Sequence, residues 1–213
     1  RYVTIDVYPL SFSEFCPAYI EANPGATEKS AFIAYVIQGG FPFQSALEFG
    51  QEPSIKYLED LLSTILLKDV VKRNNIRDVD LLEHLARYAA AEEGHLLSMK
   101  SISDYLKSKR RKTASETIAN YMNAMEKAFL LYKAPREDAI GKQRLAFNEK
   151  WYVVDQGLRQ AMGMSNQMNI DQVLEGIVFM ELKRRGYKVS VGKVGDLEVD
   201  FVAKRGNEYE YYQ

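Results

Sequence analysis

Cysteine is nearly absent from these 213 residues: Cys16 stands alone, so no internal disulfide can form. With no signal-peptide pattern at the N-terminus, the cytoplasm is the expected compartment. Histidine is almost as scarce, with only His84 and His95. One Cys and two His exclude a Cys/His zinc cluster and leave a Cys or Ser nucleophile few bases, so catalysis, if present, is expected to rest on carboxylates. Gly (13) and Pro (6) are too few for low-complexity sequence. No run approaches the ~20 consecutive apolar residues that would span a bilayer, and no membrane partner is expected. Nor is one sign of charge in excess. Lys+Arg number 28 and Asp+Glu 29, a net charge of -1, so contact with nucleic acid would have to come from a local basic patch.

What remains is an ordinary globular composition, 46% hydrophobic and 27% charged. The chain starts at Arg1 rather than Met and stops just after the strand-like run Tyr209 to Tyr212, so both ends are expected to be cuts through something longer.

Ser11 or Ser13 can cap a short first helix, and Thr27 opens a second that Gly39-Gly40-Phe41-Pro42 ends. From Ser54 onward Ile55, Leu58, Leu61, Leu62, Ile65, Leu66 and Val70 form a helical apolar stripe with a basic end at Lys68, Lys72 and Arg73, the pattern of a core helix. Three short helices are then expected, capped by Asp80 with Glu83, Ser101 with Asp104, and Thr113 with Glu116. A strand at Phe129 to Tyr132, a charged turn at Arg136 to Lys142 and a returning strand at Arg144 to Phe147 would follow as a β-wing. Three helices and a wing are the order of a winged helix.

On that reading Thr113 to Lys127 is the recognition helix. Lys107, Lys109, Arg110, Arg111 and Lys112 lie in the turn before it, where cations and unpaired backbone N–H groups would together attract phosphate. Ser115, Asn120 and Asn123 lie off the apolar stripe and could face base edges. A winged helix used for protein contacts, with a solvated basic loop, fits the same pattern.

Asp171 opens a mostly apolar helix, Val173 to Arg185, stopped by Gly186. Glu181 falls on its apolar side, and the partner it needs is a metal ion, one of Lys183, Arg184 and Arg185, or water. Strands are expected at Tyr187 to Val191, Leu197 to Ala203 and from Glu208 on, with Glu198 and Asp200 on one face of the second. Carboxylates beside a helix are what a hard cation such as Mg²⁺ would need for phosphodiester cleavage; an exposed, solvated acidic face is the alternative.

Seven stretches occur in an order that resembles one group of proteins: Pro9-Leu10-Ser11-Phe12-Ser13-Glu14-Phe15, Gly39-Gly40-Phe41-Pro42, Tyr57-Leu58-Glu59-Asp60 with Lys68-Asp69, Ser115-Glu116-Thr117-Ile118, Lys150 to Arg159, Glu181-Leu182 with Arg184 to Tyr187, and Glu198-Val199-Asp200-Phe201. The group is the prokaryotic AAA-type ATPases that carry a C-terminal domain of unknown function, and the similarity runs over essentially the whole chain. It implies a preceding ATP-binding core with ATP and Mg²⁺. Arg1 resembles the Arg of a Gly-Arg pair near the end of that core. This chain has no Walker A loop: at Gly141-Lys142, Gln143 replaces the Ser or Thr, so no ATPase activity is expected of it alone.

The resemblance further implies a restriction-endonuclease-like end, with Glu181, Asp200 and Gln213 in the positions of that fold's acidic residue, Asp and Glu/Gln; Glu181 and Asp200 would be the metal ligands. Gln213 in place of Glu removes a negative charge and weakens such a site. The expected architecture is therefore α+β: a helical region over 1–78 adjoining an ATPase core, a winged-helix domain over 79–148 and a truncated nuclease-like α/β domain over 149–213. The expected partners are DNA, the protein's own ATPase core, and a protein partner or further copies of the chain. A protein-interaction or target-sensing module and a metal-dependent nuclease are the alternative functions.

Overall fold

The computed structural model describes residues 3, 5–138, 148–194 and 197–213, a mixed α+β arrangement with two small sheets. Helix α1 (Phe12–Ala22) starts where expected. The Ser11 hydroxyl accepts from the Glu14 N–H, and the Glu14 carboxylate accepts from the Ser11 N–H at 2.8 Å. Helix α2 (Glu28–Gln38) has the same reciprocal cap between Thr27 and Ser30, and ends at Gly39, whose φ of +74° is open to glycine. After a 3₁₀ turn at Pro42–Leu47, α3 (Gln51–Thr64) continues as a π-helical segment, Ile65–Lys72. Leu58, Leu66 and Val70 of the expected stripe are buried.

Helices α4 (Val79–Ala91), α5 (Met99–Ser108) and α6 (Ser115–Lys127) are the three expected short helices, but their caps differ. Asp78 caps α4, Ser98 with Ser101 caps α5, and α6 starts at Ala114 with no side-chain cap. The Thr113 carbonyl, one residue before that start, accepts the Ser103 hydroxyl at 2.7 Å.

Strands β1 (Leu96–Leu97), β2 (Leu131–Ala134) and β4 (Glu149–Val153) form an antiparallel sheet ordered β1-β4-β2, with Leu96 opposite Lys150 and Tyr132 opposite Tyr152. Phe129 is not in the strand; it takes φ +58° in the exit from α6. The charged turn expected from Arg136 is likewise corrected. Arg136–Asp138 is strand β3, parallel to β5 (Lys188–Val194), anchored where the Val191 N–H donates to the Pro135 carbonyl at 2.9 Å. Residues 139–147, which include the expected strand Arg144 to Phe147 and Gly141-Lys142, lie outside the described residues; the strand seen to return is β4.

Helix α7 (Gln156–Ala161) leads to α8 (Ile170–Arg184), then the meander β5, β6 (Leu197–Arg205) and β7 (Glu208–Tyr212), giving a second sheet ordered β3-β5-β6-β7. Phe179 of α8 stacks on Tyr152 of β4 at 4.1 Å and lies 6.0 Å from Phe201 of β6, so one ring touches strands of both sheets. Such a stacked pair adds about 0.5–1.5 kcal/mol beyond its buried area. The main core runs from Leu58 to Ala203, and a smaller aromatic cluster holds Phe15, Tyr35 and Phe49.

Between the helical start and the sheets lies a buried polar joint. Asp155 caps α7, accepting from the N–H groups of Gly40 (2.6 Å), Gly157 (2.8 Å) and Leu158 (3.3 Å). A Cβ on Gly157 would come within 2.0 Å of the Gln38 carbonyl, which explains glycine there. Arg159 is enclosed; its Nε lies 2.9 Å from the Glu93 carboxylate, and its other nitrogens donate to Asn166 and Gln172, both at 2.7 Å.

Candidate functional site

The turn from α5 to α6 is built by the backbone. The N–H groups of Lys109 and Arg111 return to the carbonyl of Leu106, and Arg110 takes φ +64° to make the reversal. Lys107, Lys109, Arg110 and Lys112 are exposed. Arg111 is not part of that open set: its guanidinium donates to both carboxylate oxygens of Asp78 at 2.7 Å and also to Asp80. It fastens the turn to the start of α4 and holds the Asp78 carboxyl below its ordinary range. On α6, Asn120 is exposed while Ser115 and Asn123 are partly covered, and Glu116 contributes an acid to the first turn.

The turn therefore presents four outward cations above a helix start whose N–H groups lack a side-chain cap, an arrangement suited to anionic oxygens.

The second expected site is not assembled as its sequence pattern implies. Both oxygens of Glu181 are taken, one by Arg184 Nη1 at 2.5 Å and the other by Arg185 Nε at 2.7 Å, so among the partners expected for it the arginines are the ones found. Arg184 also donates to the Pro9 carbonyl at 2.8 Å. Asp200 instead faces the ammonium of Lys150, 3.8 Å away, and Lys150 lies 3.1 Å from Glu175 of α8. Tyr152 donates to the same Glu175 oxygen at 2.7 Å; burial, then the adjacent carboxylate, push its hydroxyl far above the ordinary phenol range. Gln213 follows the end of β7 and is exposed.

Mg²⁺ does not fit Glu181 and Asp200 in this arrangement. The first is already shared between two guanidinium groups, one at each oxygen, and the second sits beside an ammonium. Among the described residues no group of three or more His, Cys, Asp or Glu is placed to hold a metal ion.

Glu175, Lys150 and Glu93 are the polar residues that sequence reasoning missed. Lys150 stands in a strand whose following residues are all buried, Trp151 to Val153, and a lysine in such a run needs a carboxylate partner. Glu93 had no comparable signal. It is fully enclosed, and burial pushes its carboxyl up to about 7 against the opposing pull of Arg159. Burial likewise raises Asp155 to about 6, although three N–H groups favour its charged form.

No helix among the described residues is long and apolar enough to cross a membrane. No solved structure matches the chain. A protein of Haemophilus influenzae is 37% identical over 214 residues, covering all of this chain and 53% of that protein. Another, from Methanocaldococcus jannaschii, is 27% identical over 215 residues, covering 95% of this chain and 47% of its own length. Both are described only as uncharacterized, and the chain spans about half the length of these relatives. The family model described as domain of unknown function DUF8612 matches residues 29–169, from α2 through α7, and the chain belongs to that family.

Proposed function

We propose that the chain is the C-terminal nucleic-acid-binding and regulatory region of an AAA-type ATPase, with ATP and Mg²⁺ belonging to a core outside this chain. The observation that carries the reading is the exposure of Lys107, Lys109, Arg110 and Lys112 ahead of α6. The order α4, β1, α5, α6, β2, β4, with the sheet arranged β1-β4-β2, supports a winged helix in which α6 is the recognition helix and Asn120 its outward polar residue. DNA would lie along the turn and α6, and ATP hydrolysis in the core would drive or gate the contact. The relatives' greater length leaves room for such a core.

Helix α8 followed by the β5-β6-β7 meander supports a restriction-endonuclease-like end. The pairing of Glu181 with arginines and of Asp200 with Lys150 favours a scaffold over an active nuclease, in keeping with the rule that fold does not fix function.

Fluorescence anisotropy with duplex DNA at two salt concentrations tests the interface. Four phosphate contacts would weaken binding roughly a hundredfold between 50 and 200 mM salt. Affinity indifferent to salt, or unchanged in a Lys109→Ala, Arg110→Ala double variant, would count against it.

A further inference from the structure

Beside the basic turn, α4 and α5 part to leave an open groove of about 530 Å³, within the range of small-ligand sites. Its floor is the buried Ile102 and Leu106, and its wall is a pair of tyrosines, Tyr88 and Tyr105, with ring centroids 4.9 Å apart. Tyr105 is 43% exposed, a large ring held in place by its neighbour yet open to solvent. No lining residue is acidic. At the rim, Arg87 and Lys109 have no carboxylate ion-pair partner among the described residues, and Lys109 Nζ stands 5.8 Å from the centre of the Tyr105 ring.

A tyrosine ring open to solvent, with Lys109 over it and Arg87 nearby and neither cation neutralised by a carboxylate among the described residues, is the combination that holds a nucleobase by stacking and its phosphate by charge. Lys109 belongs both to this groove and to the outward cations of the turn, so the two surfaces are continuous.

We propose that the α4–α5 groove is a stacking site for an unpaired base of a nucleic acid strand, so that the preferred ligand is a duplex with a single-stranded extension rather than a blunt duplex. The inference rests on the nucleic-acid reading above and adds the class of ligand. Because every base has a π-face, the site would be tolerant of sequence.

The test compares a blunt duplex with the same duplex carrying a short single-stranded extension that contains 2-aminopurine, using the purified protein. The extension should tighten binding about tenfold, and the 2-aminopurine emission should be quenched as its base stacks. Tyr105→Ala should remove both effects while leaving blunt-duplex affinity unchanged, and Tyr105→Phe should retain them; Tyr105→Leu serves if a thermal melt shows that the alanine variant does not fold.

Equal affinity for both ligands without quenching would overturn the stacking site while leaving the interface reading intact. Binding of neither would remove both. Equal weakening of the two ligands by Tyr105→Ala would assign the ring to supporting the turn, and overturn the proposal. So would a Glu-rich aromatic peptide whose binding needs Tyr105 when the extension's does not, which would assign the groove to a protein partner.

Discussion

At the α5–α6 turn four cations stand in solvent, while at the joint below the sheets Arg159 and Glu93 are wholly enclosed. The first group contributes little to holding the fold, because exposed charges exchange protein partners for water at almost no difference in free energy. The second cannot lose a member without leaving a charge in an apolar interior. Two of the seven stretches that carry the resemblance, Gly39 to Pro42 and Lys150 to Arg159, supply Gly40, Asp155 and Arg159 to the enclosed joint. What they fix is the meeting of the N-terminal helices with the sheets. The exposed cations of the turn lie outside all seven stretches.

The sharpest way to break this contrast is Arg159→Met, which strands Glu93. We expect a loss of about 3–5 kcal/mol at pH 8, read by urea denaturation, with much of it regained when Glu93→Gln is added. A loss as small as that of a surface substitution would mean the pair is not a joint. Next in size, Gly157→Ala would drive a methyl into the Gln38 carbonyl and should lower stability by about 1–3 kcal/mol on the same assay.

The pH response sharpens the comparison further. Glu93 is raised from 4.5 to about 7 and Asp155 from 3.8 to about 6, so the folded state keeps protons that the unfolded chain releases. Their contribution is full below the unfolded values and is lost as pH climbs to about 7. The urea midpoint of the wild type should therefore fall between pH 5 and pH 8, and Glu93→Gln should flatten that fall; an undiminished slope in the variant would point to other groups.

The smallest effects belong to the turn. Arg111→Ala, which frees Asp78 and Asp80, should cost up to about 1 kcal/mol. Lys109→Ala and Arg110→Ala should each stay within about 0.5 kcal/mol while lowering the salt dependence of DNA binding.

Helices α1 to α6 and the β5-β6-β7 meander were legible because their signals are local: caps, apolar stripes and strict alternation. The starts of α4 and α5 were misjudged because polar residues that can cap follow one another closely: Asp78 caps α4 and also binds Arg111, while Asp80, two residues on, binds the same arginine's other nitrogen. Strand β3 was invisible for another reason. Arg136-Glu137-Asp138 has no apolar alternation, and its pairing with β5 is a backbone match across distant sequence. The outward cations of the turn were readable as a cluster, but the diversion of Arg111 to α4 was not, since it depends on how the helices pack. Glu181 looked like the helix's significant acid because it breaks an apolar face, whereas Glu175, one turn and a half earlier, is the one that Lys150 and Tyr152 reach.

Only Pro135 separates β2 from β3, yet the two strands serve different sheets. That single residue governs how the protein can be dissected. A fragment running from α4 to β4 necessarily carries β3 along and strips it of β5, while one starting after β3 leaves β5 without its outer neighbour. Either truncation exposes a raw strand margin of the kind that invites self-association. Shortened versions should therefore be judged first by whether they stay monodisperse, and the intact ribbon from Leu131 to Asp138 kept whole whenever the pieces are meant to behave as they do together.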